Sequence, residues 1–360
     1  MPVTSGHIPS HQVTSRHIPL HPTLQVGLPV DVVMYNLVMT GYKKKRLWQP
    51  VFQLLQQMQE SGHTPDAVSF NILIDACGKA QELQRAFEFY HEMRRSGLQA
   101  SVNTFTSLID ACGKANQLPQ ACELLDQMQR ENVQPNAHTF TTIINACTQS
   151  QDLDRGIQVL YRMVQCGAVH DSGHTSTTPY TTLIRACGKA LEVDKAFQVL
   201  QLMLDVGVRP NVVTFNCLID ACGKAQQLEK ALKAFKLMRQ CHATPDAITY
   251  TAIIDACSKS AEIDAGMDLL RQMRQQNLRP NLPIYTTLLD ACVRARRIDQ
   301  SFELLRLMQM GNMRPSVLIL NSLIEACGDA GLVSSAVEVF GFVKQVRSRG
   351  QGLGTAGDGG

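Results

Sequence analysis

The chain has 360 residues, 44% of them apolar, and a formal charge of only +3 at pH 7. A charge this near zero excludes a partner held by the field of the whole molecule, so any basic surface has to come from the placement of individual residues. No run of about 18 apolar residues is present, which excludes a transmembrane helix.

Residues 1–31 carry a short duplication: Val3 to Gln12 (VTSGHIPSHQ) returns as Val13 to Pro22 (VTSRHIPLHP). Proline at this frequency opposes helix, and the His, Ser and Thr content gives no core, so a disordered leader is expected. The segment is acid-poor before Asp31, as a transit remnant would be, yet Arg16 is its one Lys or Arg. His7, His11, His17 and His21 belong to this leader and are not read as a metal site.

From Val32 to about residue 346 the sequence repeats with a period of 35. Units start at Val32, Ala67, Val102, Ala137, Thr177, Val212, Ala247, Leu282 and Val317, and the run Asp75-Ala-Cys-Gly-Lys-Ala80 returns at Asp110 and Asp220. A fixed period of this length defines a solenoid whose units bury their apolar faces only against their neighbours. In the second unit Phe70, Leu73, Ile74 and Cys77 fall on one helical face, and Leu83, Ala86, Phe87, Tyr90 and Met93 form a second stripe. Gly78 to Gln81 is expected to hold the turn between them. Gly97 is expected to cap the second helix, and Pro65 to forbid continuation past Gly62. Ser69, Thr104, Thr139, Thr214 and Thr249 are read as N-caps of the first helices. Each unit is thus a helix-turn-helix hairpin, and the fold an all-α solenoid.

The fourth unit has 40 residues, its excess lying in Ala168 to Ser176 (AVHDSGHTS), which is expected to be a surface loop. The ninth lacks its closing segment, and a flexible Gly-rich tail is expected over 347–360. Eight of the twelve cysteines form one column: Cys77, Cys112, Cys147, Cys187, Cys222, Cys257, Cys292 and Cys327. Equivalent points on packed helices lie roughly 8–10 Å apart, whereas a disulfide needs Cα atoms within about 7 Å. No C-x-x-C occurs, so the column is read as small buried core, in a reducing compartment.

The order Tyr or Phe, then Asn or Thr, then a Leu-Ile pair, closing on Gly-x-x-Pro-Asp/Asn, resembles the pentatricopeptide repeat. Val212 to Asp246 (VVTFNCLIDACGKAQQLEKALKAFKLMRQCHATPD) matches it throughout, and the likeness covers the nine units. The W-x-x-L-G-x-x-Y signature of the tetratricopeptide repeat is absent, and Trp48 is read as packing. The resemblance implies a right-handed superhelical α-solenoid. It also implies a monomer that binds single-stranded RNA in a chloroplast or mitochondrion and acts in RNA stabilisation, processing, splicing or translation.

The fifth residue of each unit is Asn36, Asn71, Thr106, Thr141, Thr181, Asn216, Thr251, Thr286 and Asn321. Helix propensity does not explain the choice, since Asn and Thr are both mediocre helix formers. Both carry a short hydrogen-bonding group, fit either for a base edge or for bonds between units. The resemblance implies that this residue and the last of its unit read one base. Asn36 with Asp66 and Asn216 with Asp246 then read uracil, and Asn71 with Ser101 reads cytosine. Thr106 with Asn136, Thr181 with Asn211 and Thr251 with Asn281 read adenine, and Thr286 with Ser316 a purine, taken as adenine. Thr141 has two candidate partners, Ser176 for adenine and Asp171 for guanine; Asn321 has none and implies a pyrimidine. The implied site is 5′-UCARAUAAY-3′. The resemblance also gives the second residue an apolar clamping role, which Val33, Val68, Val213, Ile248 and Leu318 fit and Asn103, His138, Thr178 and Pro283 do not.

Position thirteen is basic in seven units: Lys44, Lys79, Lys114, Lys189, Lys224, Lys259 and Arg294, with Gln149 and Asp329 elsewhere. The resemblance implies phosphate contacts, and a basic row along a groove suits a single strand. The competing reading is a set of i, i+4 helix pairs with Asp75, Asp110, Asp220, Asp255 and Asp290. No motif supports a reaction. The H-x-E with P-C-x-x-C of zinc deaminases is missing, and His91-Glu92 has no second histidine at Arg95. The chain is read as not an enzyme, with no cofactor and no metal. A protein-interaction scaffold and the targeting arm of an enzyme are the alternatives.

Overall fold

The computed structural model describes residues 31–168, 170–171, 174–311 and 313–341. Residues 1–30 of the leader expected over 1–31, and the tail over 347–360, lie outside these residues.

Each repeat is a helical hairpin. The pairs are α1 (Val32–Lys44) with α2 (Trp48–Glu60), α3 (Ala67–Ala80) with α4 (Leu83–Arg95), and α5 (Val102–Lys114) with α6 (Leu118–Arg130). Next come α7 (Ala137–Gln149) with α8 (Leu153–Gln165), α9 (Thr178–Lys189) with α10 (Val193–Asp205), and α11 (Val212–Lys224) with α12 (Leu228–Gln240). Then follow α13 (Ala247–Lys259) with α14 (Ile263–Gln275), α15 (Leu282–Arg294) with α16 (Ile298–Met310), and α17 (Val317–Asp329) with α18 over 333–341. Inside the expected loop of the fourth repeat, β1 (His170–Asp171) and β2 (His174–Thr175) pair antiparallel, His170 opposite Thr175 and Asp171 opposite His174. No helix among the described residues is long and apolar enough to cross a membrane.

Two readings of the sequence are corrected. The N-caps are not Ser69, Thr104, Thr139, Thr214 and Thr249 but the residues three positions earlier. Asp66, Ser101, Asn136, Asn211 and Asp246 each accept from the backbone N–H of that Ser or Thr. An N-cap carries extended dihedrals and bonds the third helical N–H, and the last residue of each unit meets that description. Gly78 does not turn the chain either. The helix runs on to Ala80, and Gln81, with φ of 63°, takes the left-handed conformation. The Gly97 reading holds: its φ is 76°, its N–H bonds the Arg94 carbonyl, and the Leu98 N–H bonds the Met93 carbonyl. These are the two bonds of a Schellman stop.

What Gly78 does is let neighbouring first helices touch. A Cβ there would lie 2.9 Å from the Ala111 Cβ, and one at Gly113 would lie 2.8 Å from that of Ala146. Second helices are linked instead by long side chains. Gln127 Nε2 donates to Tyr90 Oη at 2.9 Å, Lys195 pairs with Asp154 at 2.7 Å, and Lys230 with Asp194 at 2.5 Å. Neighbouring first helices thus touch closely at glycine, while the second helices are bridged by side chains.

The core runs unbroken from Met39 to Val339. All eight column cysteines are fully buried and unpaired. Burial pushes the Cys77, Cys112, Cys147 and Cys222 thiols up to about 12. Cys187, Cys257 and Cys292 rise to about 11. Trp48 packs against the same core.

Candidate nucleic-acid interface

In the first and sixth units the fifth and the last residue are far apart in sequence but meet in space, because the last residue caps the next first helix. Asn36 Nδ2 donates to Asp66 Oδ1 at 3.1 Å, and Asn216 Nδ2 to Asp246 Oδ1 at 3.2 Å. A third group joins each pair. The hydroxyl at the third position of the following unit donates to the Asn carbonyl: Ser69 to Asn36 at 2.7 Å, Thr104 to Asn71 at 2.6 Å, and Thr249 to Asn216 at 2.6 Å. The same position reaches threonines at the fifth position, Thr139 to Thr106 at 2.9 Å and Thr214 to Thr181 at 2.9 Å. Sequence reasoning missed this role. The signal was available as Asp/Asn/Ser followed three residues later by Ser/Thr, the spacing of a capping pair.

Burial raises the Asp66 carboxyl, but the backbone and hydroxyl of Ser69 and the Asn36 amide outweigh it and hold it below the ordinary carboxylate value. Asp246 is lowered in the same way by Thr249 and Asn216. Both sites therefore hold a carboxylate beside an amide at neutral pH.

The remaining fifth residues are tied only to their own helices. Thr141 donates to the Ala137 carbonyl, Thr251 to that of Ala247 and Thr286 to that of Leu282, at 2.7, 2.6 and 2.7 Å. Asn321 is exposed in the last first helix. The partners Asn136, Asn211, Asn281 and Ser316 all cap the next helix. The fourth unit breaks the pattern, since α9 begins at Thr178 with no side-chain cap from Thr177. Ser176 is half-buried beside it, and Asp171 lies in β1.

Beside each pair stands an exposed second residue. Val33, Val68, Val213, Ile248 and Leu318 are exposed by 69, 54, 50, 66 and 76%. Asn103, His138, Thr178 and Pro283 continue the exposed row without the aliphatic surface.

The basic column is exposed, but five of its members carry an aspartate. Lys79–Asp75, Lys114–Asp110, Lys224–Asp220, Lys259–Asp255 and Arg294–Asp290 pair at 2.7, 2.5, 2.6, 2.6 and 3.1 Å. Asp75 also takes Lys43 of the previous unit at 2.8 Å. Lys44 and Lys189 have no acidic partner among the described residues. Beside Lys189 the fifth unit puts Arg185 at the position where the second, third, sixth, seventh and eighth units have Asp, and the two cations share a cleft of about 480 Å³ with Thr148, Gln149 and Thr182. This unopposed cation went unread in the sequence. Among the described residues no cluster of His, Cys, Asp or Glu could hold a metal.

Stacked hairpins with an exposed second residue in every unit, and an amide–carboxylate pair in the first and sixth, define a helical-repeat solenoid with a repeating exposed row. A family profile described as the pentacotripeptide-repeat region of PRORP matches residues 105–240 and 226–349. A second, described as the PPR repeat family, matches residues 30–79 and 65–114. The chain belongs to the pentatricopeptide repeat family. Its fold is similar to that of PPR10 solved in complex with an 18-nt psaJ RNA element, at 20% identity and a TM-score of 0.50 over 90% of this chain. It is also similar to yeast Rmd9p in complex with a 16-nt target RNA, at 14% identity and a TM-score of 0.50, covering 87% of this chain and 67% of that one. The chain spans about half, 51%, of the PPR10 chain. No curated protein matches it.

Proposed function

We propose that the chain binds single-stranded RNA and reads one base per repeat. The observation that carries this reading is the exposed aliphatic second residue beside each uracil- or cytosine-type polar pair, as with Val33 beside Asn36 and Asp66. An exposed apolar side chain gains from covering a flat ring, and an adjacent pair of fixed donors and acceptors tells one ring edge from another. PPR10 and Rmd9p, which share the fold, are solved on RNA, and this supports the reading. The proposed site is 5′-UCARAUAAY-3′, with Ser176 or Asp171 deciding the fourth purine. The protein acts as a monomer without cofactor or catalysis of its own, stabilising or unfolding an organellar transcript by occupying it.

Binding to this RNA and to its single-base variants tests the proposal. Exchanging Thr106→Asn together with Asn136→Asp moves the third preferred base from adenine to uracil. Indifference of the parent protein to every base change sinks base reading and leaves a protein-interaction scaffold.

A further inference from the structure

The hydroxyl row at the third position of the following unit is not one of the reading residues, yet it touches them. Ser69, Thr104, Thr139, Thr214 and Thr249 are all fully buried. A buried hydroxyl has one proton to give and must place it well. In the first repeat Asp66 Oδ1 accepts from the Ser69 N–H and from Asn36 Nδ2, at 2.8 and 3.1 Å. A carboxylate only accepts, so the Asn36 amide has to turn its nitrogen to Asp66 and its carbonyl to the Ser69 hydroxyl. The second repeat has Ser101 instead of a carboxylate. There Thr104 Oγ1 accepts from the Ser101 N–H at 3.0 Å and gives its proton to Asn71 Oδ1. In the first and sixth repeats the carboxylate holds the amide nitrogen and the hydroxyl its carbonyl, whereas in the second the hydroxyl alone decides which end of the amide faces it.

The row has gaps, and they coincide with a change in the readers. Repeats four, seven and eight are followed by Pro179, Ile284 and Ile319 at this position, and their readers Thr141, Thr251 and Thr286 bond only their own helix carbonyls. All three asparagine readers that have a following repeat are braced. An amide rotated by half a turn exchanges donor for acceptor, the very difference between a uracil and a cytosine edge, whereas a hydroxyl has no such orientation to lose.

Resting on the RNA reading above, we propose that this hydroxyl is a positioning residue for specificity. It locks the polarity of the asparagine readers across the boundary between repeats and leaves the readers of repeats four, seven and eight unbraced. Ser and Thr at this position set how sharply an asparagine repeat discriminates, while the fifth and last residues set which base it prefers.

The test compares Thr249→Val, which keeps the shape and removes the hydroxyl, with Thr249→Ser, which keeps the hydroxyl as Ser69 does. Affinities are measured for RNA carrying U or C at the sixth base, with the second base varied as an internal control. Thr249→Val is expected to cut discrimination at the sixth base about fivefold, the worth of one ordinary hydrogen bond. Discrimination at the second base stays unchanged, and Thr249→Ser retains the parent ratio. A general loss of stability would lower affinity for every RNA alike and move no ratio. Equal discrimination by Thr249→Val and the parent overturns the proposal, as does equal loss in both variants. A parent that does not discriminate at the sixth base instead overturns the base-reading function itself. Should Thr249→Val not fold, Thr104→Val read at the second base carries the same criteria.

Discussion

Asn216 precedes Asp246 by 30 residues, yet its amide nitrogen donates to the Asp246 carboxylate across 3.2 Å. The contact exists because Asp246 caps α13 while Asn216 sits on the inner layer one repeat earlier. One carboxylate thus ends a turn, starts a helix and completes the polar pair proposed to read a base.

That arrangement fixes a pH dependence. Asp66 and Asp246 both titrate below the ordinary carboxylate value, the opposing cost of burial being exceeded by bonds from Ser69 and Asn36, and from Thr249 and Asn216. A carboxyl with a depressed folded pKa contributes stability that is fully present above its unfolded pKa, about 3.9. That contribution is lost as pH falls through the lower folded value. The melting difference between the parent and an Asp66→Asn/Asp246→Asn variant should therefore be constant from pH 8 to pH 5 and shrink only below about pH 4. A change centred near pH 6 would contradict the carboxylate geometry.

The glycines separate packing from propensity. Gly188→Ala would place a Cβ 2.7 Å from that of Ala221, between two first helices that cannot part without disturbing the array. Overpacking of this kind costs about 1–3 kcal/mol and outweighs the gain in helix propensity. Gly41 also lies inside a helix, but a Cβ there meets nothing within 4 Å. Gly41→Ala is expected to stabilise by up to about 1 kcal/mol. Chemical denaturation of the two variants should give opposite signs.

Cysteine reactivity reports on the core. Cys166 is exposed, and Cys122, Cys217 and Cys241 are half-buried, whereas the eight column thiols are buried. Burial drives seven of these to about 11 or 12, leaving almost no thiolate at neutral pH. Alkylation of the native protein should label Cys166 first. The three half-buried residues should follow slowly, and the column only on unfolding. Mass spectrometry of early products reads this order; early labelling of Cys112 would mean the repeats do not pack as described.

Much of this was legible because the repeat turns one local pattern into nine copies. Helix starts at Ala67, Val102 and Val212 coincide with the unit starts read from the period. The cysteine column was read as core for the same reason. The errors arose where two residue types serve two purposes. Ser69 was taken for the cap although Asp66, three residues before it, is the better-placed acceptor. The turn was read from Gly78 to Gln81, and Gln81 does turn the chain, but Gly78 stays in the helix because of Ala111, which local pattern does not reveal. The pairing of Asn36 with Asp66 came from family likeness, since a separation of 30 residues leaves no periodic trace. Arg185 went unread because the aspartates at its position were weighed only as partners of the basic column, so the one unit with a cation there was passed over.

Those aspartates lead to the last prediction. Exposed i, i+4 pairs are worth about 0.3–0.5 kcal/mol, too little to keep a lysine from a phosphate but enough to weaken its field. Lys224 must give up Asp220 at 2.6 Å to meet RNA, while Lys189 gives up nothing and has Arg185 beside it. Lys189→Ala should therefore lower RNA affinity more than Lys224→Ala. Asp220→Asn should raise affinity, because it frees Lys224 and removes a negative charge from the groove. The salt dependence provides a separate readout. Seven phosphate contacts give a slope of log K against log salt near −5, from about −0.7 per contact on a single strand. Engagement of Lys44 and Lys189 alone gives about −1.4. A slope near the smaller value, steepened by Asp220→Asn, would show that the aspartates hold the column back. A slope near −5 that Asp220→Asn leaves unchanged would show that RNA displaces every pair.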